Sequence, residues 1–534
     1  MYGSRSYTAL PKGRRGTFGA ATEDDFLTGE PRQIPSASAL SVRTLAFRGP
    51  IPTLTTLAAR HFVENIQTLS SNEELWRYAR VWLKRLPDIL VPKLFIMLQR
   101  SCPNLLSHGF ITLYFLRGPS ILLTSALPGV QKQTIASVTR NDTLHELHLI
   151  GFDKYQDSLF ASLVSSLPQL RILVLRGCTR VSVRTAKAAA SRRFLAKVNF
   201  NYTGVTPASL SDILCSCSSL EVLKVAGISS WTDATFARLL NRLSETNVVL
   251  NSLRNLKLRQ LSLSDVSLQP FLARCPNLKR LDVSFTHVRR SPFGTNPIPT
   301  LEKLTLTSTN MPPMDIITLI ASLPHLQTLA LGAIGGGGQR SFGTAGSLSA
   351  VVMTDEALAF LTDTLIALND LDKVSLVGNA KLGLTSRDNG ALADFVRRVG
   401  RRLKQLNLSG LQYLRSRDMC GLMGETSEDP PRLEELSLNH TGVDDEAAPY
   451  LSRCSSLVSL RLAGTKITSR LFSLRACFLL ICLCSTGAGL FPIVDACPKL
   501  EQLDLTSCRG IKVADRRRFF DVCVLMCVEF LRCI

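Results

Sequence analysis

Fifteen cysteines are the residues of this 534-residue chain that could take part in the most varied chemistry. A cysteine thiolate can bind zinc, form a disulfide or act as a nucleophile. Cys275 opens the segment CPNLKRLDVS, and similar segments open at Cys454 and Cys497. Leu167 and Leu323 occupy the same position in LPQLRILVLRGC and LPHLQTLALGAI. Since a position that accepts cysteine or leucine requires a compact apolar side chain, we interpret these cysteines as packing residues.

Metal binding and catalysis are not indicated by the remaining candidate residues. A single residue separates Cys215 from Cys217, whereas zinc ligands usually have two or more residues between them. His145 and His148 flank Glu146 in LHELHL, but the helical H-E-x-x-H spacing that binds zinc is missing. No G-x-S-x-G sequence is present. We therefore expect no catalytic residue, no metal and no cofactor, and a protein that is not an enzyme.

The net charge of +20 and the pI near 9.6 favour contact with nucleic acid, an anionic membrane or acidic protein surfaces. The segment MYGSRSYTALPKGRRG lacks the apolar core of a signal peptide, so we expect an intracellular protein with free thiols. The basic triplet 516–518 is too short to serve as a nuclear import signal. Both the nucleus and the cytoplasm stay open as locations.

A leucine-rich template, L-x-x-L-x-L, recurs thirteen times with a usual spacing of 23 to 26 residues. That period is typical of a leucine-rich repeat. In one segment, LRNLKLRQLSL, the repeat could start at Leu253 or Leu258. The other starts are Leu144, Leu170, Leu195, Leu220, Leu278, Leu301, Leu326, Leu371, Leu403, Leu433, Leu457 and Leu500.

Each template predicts a short strand, and strands of successive repeats should stack in parallel. The segments that follow, such as 233–243 and 355–368, have the apolar spacing of helices. We therefore predict an α/β fold, a leucine-rich-repeat solenoid (horseshoe) with parallel concave strands and convex helices.

The repeats divide the chain into four parts. We expect a disordered basic tail over 1–50, a helical N-terminal cap or F-box-like adaptor segment over 51–140, the solenoid over 141–515, and a C-terminal tail over 516–534. Two insertions interrupt the period, a glycine-rich loop at 332–350 and an apolar segment at 473–491. The second is either a surface insertion or an artefact of gene-model translation such as a retained intron. A membrane span is not expected, because the repeats on either side belong to one array.

The Cys-x-x-Leu segments, with a further cysteine after the strand at Cys178 and Cys508, resemble the cysteine-containing leucine-rich repeats. These occur in F-box/LRR proteins, in antagonist-of-mitotic-exit-type proteins and in fungal RNI-like proteins. The resemblance covers roughly residues 140–515 and implies a protein-interaction solenoid.

The segment LPDILVPKLFIML (86–98) is similar to the start of an F-box, with Pro92 falling inside the expected helix, where proline removes a hydrogen bond. Together with TLAARHFVENIQTL (56–69), it also resembles the head of the LRR subunit of the yeast nucleotide-excision-repair ligase. Both resemblances imply binding to a Skp-type or elongin-C-type adaptor of a cullin ubiquitin ligase. Alternatively, these helices only cap the first repeat. The adaptor-binding candidates are Leu86, Pro87, Leu90, Leu94, Phe95 and Leu98.

The outward strand positions form a mixed polar surface, which favours a protein partner over direct nucleic-acid binding. The most concrete interpretation is a substrate-recognition subunit of a cullin-type (SCF-like) ligase that acts in ubiquitin-dependent protein degradation. An LRR scaffold without a ligase, or a nucleic-acid-associated repair or regulatory factor, are the alternatives. The concave-face candidates are Glu146, His148, Lys197, Lys224, Arg280, Asp282, Lys303, Lys373, Glu435, Arg461 and Asp504.

Overall fold

The structure is a computed structural model, and it describes residues 40–42, 53–294, 299–334, 352–385, 390–424, 429–468 and 489–511. Within these ranges, fifteen strands form one open sheet. The strands are β1 Leu40–Val42, β2 Ser120–Thr124, β3 Glu146–Ile150, β4 Ile172–Val174, β5 Lys197–Asn199, β6 Val222–Ala226, β7 Asn255–Arg259, β8 Arg280–Asp282, β9 Lys303–Thr305, β10 Thr328–Ala330, β11 Lys373–Ser375, β12 Gln405–Asn407, β13 Glu435–Ser437, β14 Ser459–Arg461 and β15 Gln502–Asp504. Strands β2 to β15 run parallel in chain order, and β1 pairs antiparallel with β15. This arrangement confirms the predicted leucine-rich-repeat solenoid.

Helices connect most of the strands, and successive helices from one repeat to the next pack against each other. The segments 233–243 and 355–368, predicted to be helical, lie in α9 and α12. The α-helices are α1 Leu54–Ser71, α2 Glu73–Arg85, α3 Val91–Ser101, α4 His108–Tyr114, α5 Lys132–Ser137, α6 Asp157–Ser165, α7 Val183–Ala190, α8 Pro207–Ser216, α9 Asp233–Glu245, α10 Asp265–Leu272, α11 Pro313–Ala321, α12 Asp355–Ile366, α13 Ala391–Arg398, α14 Ala448–Leu451 and α15 Phe491–Ala496. Short 3-10 helices cover Pro103–Leu105, Val138–Arg140, Gly400–Arg402, Ser416–Leu422 and Asp445–Ala447.

The second apolar position of each template forms a continuous row through the core of the sheet. Strand pairing aligns Leu147 with Leu173, and the row continues strand by strand to Leu503. No side chain in it is more than 2% exposed. Burial of such a side chain stabilises the fold by roughly 1.5–3 kcal/mol relative to exposure, so the row is a major source of stability. Its other members are Ile121, Val198, Leu223, Leu256, Leu281, Leu304, Leu329, Val374, Leu406, Leu436 and Leu460.

The parallel sheet begins at β2, inside the segment 51–140 that the sequence assigns to the cap. Ile121 pairs in register with Leu147, so Gly118 stands where the template has its first leucine. The missing leucine explains why the template does not detect this strand. In the ambiguous segment, Leu256 pairs with Leu281, which makes Leu253 the start of that repeat.

Both ends of the sheet are covered. At the N-terminal end, Gln99 Nε2 of α3 donates to the carbonyl oxygen of Leu122 at 2.7 Å. At the C-terminal end, Leu40–Val42 pairs with Gln502–Asp504. Covering an edge strand prevents it from pairing with other chains. The strand β1 lies within the predicted disordered tail, and residues 1–39 and 43–52 lie outside the described residues.

The sheet continues across both interruptions of the repeat period. Thr328 pairs with Lys373, and Ser459 pairs with Gln502, as direct neighbours. Most of the predicted insertions at 332–350 and 473–491 lies outside the described residues, as does the tail after residue 511. Among the helices that the structure describes, none is long and apolar enough to cross a membrane.

Candidate protein-interaction surfaces

The strand residues on either side of the buried leucine face away from the helices, because side chains alternate along a strand. Strand pairing aligns them in two rows on the concave face. All the predicted concave-face residues lie in these rows, and their role in binding stays a prediction. The first row contains Glu146, Lys197, Arg280, Lys303, Lys373 and Glu435, and the second contains His148, Lys224, Asp282, Arg461 and Asp504.

One part of this face is a cleft of about 600 Å³, which we call the concave cleft. Lys303, Lys373, Glu435 and Arg461 line it, together with Arg259. The structure thus brings four of the predicted residues together. The others lie on the concave face outside the cleft lining.

Small side chains in the second row create the space of the cleft. In the N-terminal repeats the same row carries larger residues, such as Leu122, Val174 and Lys224. Larger side chains there fill the face, whereas smaller ones leave room for a ligand. From β9 to β13 the row consists of Thr305, Ala330, Ser375, Asn407 and Ser437.

Several carboxylates of the concave face have partners within the face. Asp282 lies 3.7 Å from Lys257, and both side chains are nearly buried. Glu146 lies 3.9 Å from His148. The hydrogen bond from that histidine, with its charge and the Ser120 and Lys197 side chains, outweighs burial and lowers the pKa of Glu146. The N-terminal part of the face is therefore electrically more balanced than the cleft.

Arg259 is a cleft residue that the template did not predict, because it lies at the end of β7, beyond the L-x-L core. Its guanidinium carbon lies 4.8 Å from the centroid of the Phe285 ring, a cation–π contact that holds the side chain in place. The sequence signal is the arginine that directly follows L-x-L in LKLR (256–259).

The predicted adaptor-binding surface requires a correction. Leu94, Phe95 and Leu98 are 6%, 2% and 1% exposed, because α3 packs them against the first strand of the sheet. They cannot contact an adaptor while the helix stays packed. Leu86 and Leu90 are partly exposed and Pro87 is exposed.

The expected interruption by Pro92 is also wrong. The helix begins at Val91, so proline occupies its first turn. In the first turn the missing N–H would have no helical partner anyway, and proline is compatible with the helix.

Helix α2 exposes an apolar stripe that the sequence analysis did not identify. Leu75, Tyr78 and Trp82 are 47%, 62% and 70% exposed. Their i, i+3, i+7 spacing places them on one side of the helix, and we call them the α2 stripe. Ala79 and Leu83 of the same helix are buried on its other side. Apolar and aromatic residues on both sides of α2 are the signal that could have revealed it.

The cysteines are packing residues, as predicted. The nine cysteines that the structure describes are free thiols. Cys275 is fully buried, and this burial raises its pKa to about 12. Its Sγ lies 3.5 Å from the Phe271 carbonyl oxygen, to which it donates. Across the described ranges, no group of three His, Cys, Asp or Glu residues could hold a metal ion.

No protein-family model and no curated protein matches the sequence. Solved structures do show similarity. A chain of the yeast Rad7–Elc1 complex is 18% identical, with a TM-score of 0.47, and the match covers 78% of this chain and 94% of that one. An LRR protein of Leptospira interrogans is 17% identical, with a TM-score of 0.39 and coverage of 76% and 88%. An internalin of Listeria monocytogenes is 17% identical, with a TM-score of 0.34 and coverage of 65% and 81%.

Proposed function

We propose that this LRR interaction protein is the substrate-recognition subunit of a cullin-type ubiquitin ligase and acts in ubiquitin-dependent protein degradation. In this role, helices α1 to α4 bind a Skp-type or elongin-C-type adaptor. The concave face holds the protein substrate, and other subunits carry out the ubiquitin transfer.

The α2 stripe is the observation that carries the adaptor part of the proposal. Tyrosine and tryptophan are enriched among the residues that contribute most to protein–protein binding. Their exposure on a helix that also packs against the solenoid provides a rigid, apolar anchor. Exposed Arg77 and Arg85 on the same helix match the aromatic and arginine composition of interfaces. Exposed apolar patches of this kind mark interaction sites.

The test is co-purification of the full chain with Skp-type and elongin-C-type adaptors. Replacing both Tyr78→Ala and Trp82→Ala should weaken adaptor binding about thirtyfold or more, the effect expected when interface hot spots are truncated. Phe360→Ala is the matched control, because Phe360 is an exposed aromatic residue (56%) on the convex helix α12. This variant should bind like the unaltered chain.

Two outcomes would contradict the proposal. If the full chain binds neither adaptor, the ligase role is wrong and an LRR scaffold without a ligase remains. If an adaptor binds but the double variant binds equally well, the α2 stripe is not the docking surface.

The net charge of +20 supports a nucleic-acid-associated role instead. The described lining of the concave cleft contains no aromatic residue on which bases could stack. Binding of single-stranded DNA with a steep loss of affinity in salt would favour that role.

A further inference from the structure

Two buried hydroxyl groups at the concave cleft lack a partner. Ser284 and Thr305 line the cleft and are 1% and 5% exposed. Within the part of the chain that the structure describes, neither Ser284 Oγ nor Thr305 Oγ1 has a hydrogen-bond partner. A buried polar group without a partner costs about 1–3 kcal/mol, and native structures contain few of them. The two hydroxyls therefore point to an acceptor that a ligand supplies.

Cationic side chains surround these hydroxyls. The N–H of Gln260 donates to the Ser284 carbonyl oxygen at 2.8 Å, which places Arg259 beside Ser284 on the neighbouring strand. Thr305 shares β9 with Lys303, and both residues lie on the concave face. An arginine and a lysine thus stand next to the two hydroxyls.

A second lysine lies across the floor of the cleft. Lys303, Thr328 and Lys373 pair in register on successive strands. Because strands are spaced by about 4.8 Å, the backbones of the two lysines are about 10 Å apart. Ala330, in the second row of the strand between them, is small. The lysines can therefore approach an anion from two sides.

The carboxylates around this part of the cleft are engaged elsewhere. Asp282, next to Thr305 in its row, is paired with Lys257 at 3.7 Å. Glu302 lies 2.5 Å from Lys279. Glu435 accepts a hydrogen bond from Gln405 at 3.0 Å and lies four strands away from β9. The region between β7 and β11 is consequently cationic.

We propose that the concave cleft binds a phosphoserine or phosphothreonine segment of a protein partner. A phosphate group carries close to two negative charges and three strong acceptor oxygens, which suits two hydroxyls, two lysines and an arginine. The patch is local rather than a continuous basic stripe, which favours a phosphopeptide over nucleic acid. The inference rests on the proposed function only in naming the class of substrate, since the cleft can bind a peptide without any adaptor.

The test uses the full chain and a degenerate peptide library with a central phosphoserine or phosphothreonine, compared with the same library after dephosphorylation. The phosphorylated library should bind about tenfold or more tightly, as expected for charge-assisted hydrogen bonds. Lys303→Met with Lys373→Met should remove most of this preference. Lys197→Met is the matched control, because this lysine lies in the same row but outside the cleft.

Thr305→Val distinguishes a binding role from a structural one. Valine has a similar shape but no hydroxyl, so the unliganded protein should keep or increase its unfolding midpoint while phosphopeptide affinity falls about threefold to tenfold. A loss of stability would show that the hydroxyl has a structural role, which would contradict the proposal.

Equal binding of both libraries, or binding of neither, would overturn the phosphopeptide proposal. Equally, a single-stranded RNA that binds with the same dependence on Lys303 and Lys373 would assign the cleft to nucleic acid. The adaptor experiment is separate, so failure of the ligase proposal leaves this result intact.

Discussion

Helix α2 exposes Tyr78 and Trp82 to solvent, whereas the concave cleft is lined by lysines, arginines and small hydroxyl side chains. The first surface offers apolar area that a partner can cover, and its binding should depend little on charge. The second offers charges and hydrogen bonds, and its binding should depend strongly on them. The difference shows how one chain can hold two partners without competition between them.

The two surfaces arise from different local geometries. On α2, one side of the helix packs through Ala79 and Leu83, which leaves the aromatic side exposed. On the strands, alternation places every second residue on the concave face, where small residues create the cleft. The following predictions test this contrast from the largest expected effect to the smallest.

The largest effect concerns two aromatic residues on the N-terminal helices. Phe95→Ala should lower the free energy of unfolding by about 3–5 kcal/mol, because it leaves a cavity between α3 and the sheet. Trp82→Ala should change it by about 0.5 kcal/mol or less, because Trp82 is largely exposed. Urea unfolding of the two variants measures both values. Similar losses would show that α2 packs through its aromatic side.

Acid should weaken the repeats that hold the cleft. Burial raises the pKa of Asp233, but hydrogen bonds from Ser264 and Ser267 outweigh this and lower it below its usual value. A carboxyl with a lowered pKa stabilises the fold above its unfolded pKa, and this stability is lost as the pH falls through the folded value. We expect the free energy of unfolding to decrease below about pH 4.

The Asp233→Asn variant isolates this contribution. At neutral pH it should be less stable by about 1–3 kcal/mol, because hydrogen bonds to a charged acceptor are lost. Its stability should also depend less on pH in the acid range. Urea midpoints measured at several pH values provide the comparison, and parallel pH profiles for the variant and the unaltered chain would contradict the assignment.

Salt should separate the two surfaces directly. Raising the salt concentration from about 0.1 M to about 1 M shortens the Debye length from about 10 Å to about 3 Å. Phosphopeptide affinity should then fall about tenfold, while adaptor binding through the α2 stripe should change about twofold or less. Isothermal titration of each ligand at both concentrations measures this. Equal salt dependence would remove the contrast.

The smallest effect concerns the junction between the two regions. Gln99→Ala removes the 2.7 Å hydrogen bond to the Leu122 carbonyl oxygen and should lower stability by about 1 kcal/mol. Gln67→Ala on α1 is the control, because this side chain is exposed. Hydrogen exchange in β2 should accelerate in the first variant alone. Unchanged exchange would show that the packing of α3 suffices to cover the edge.

The leucine rows and the helices α9 and α12 could be predicted because their apolar spacing is local. Burial of Leu94, Phe95 and Leu98 could not be predicted in the same way. The F-box resemblance indicates an apolar helix, but not which neighbour covers it. Here the exposed edge of the first strand requires a cover, and α3 supplies it. Strand β2 escaped the template because Gly118 replaces a leucine, although register still aligns it with β3.

The sequence by itself determined the repeat, the alternation of strand and helix, and the apolar role of residues such as Cys275. These follow from spacing over a few residues and from side-chain size. Only the tertiary structure decided that Lys303, Lys373 and Arg259 meet at one cleft, and that Trp82 rather than Phe95 faces solvent. The physical reason is that stacking places distant repeats about 4.8 Å apart, and no local pattern records which side chains then become neighbours.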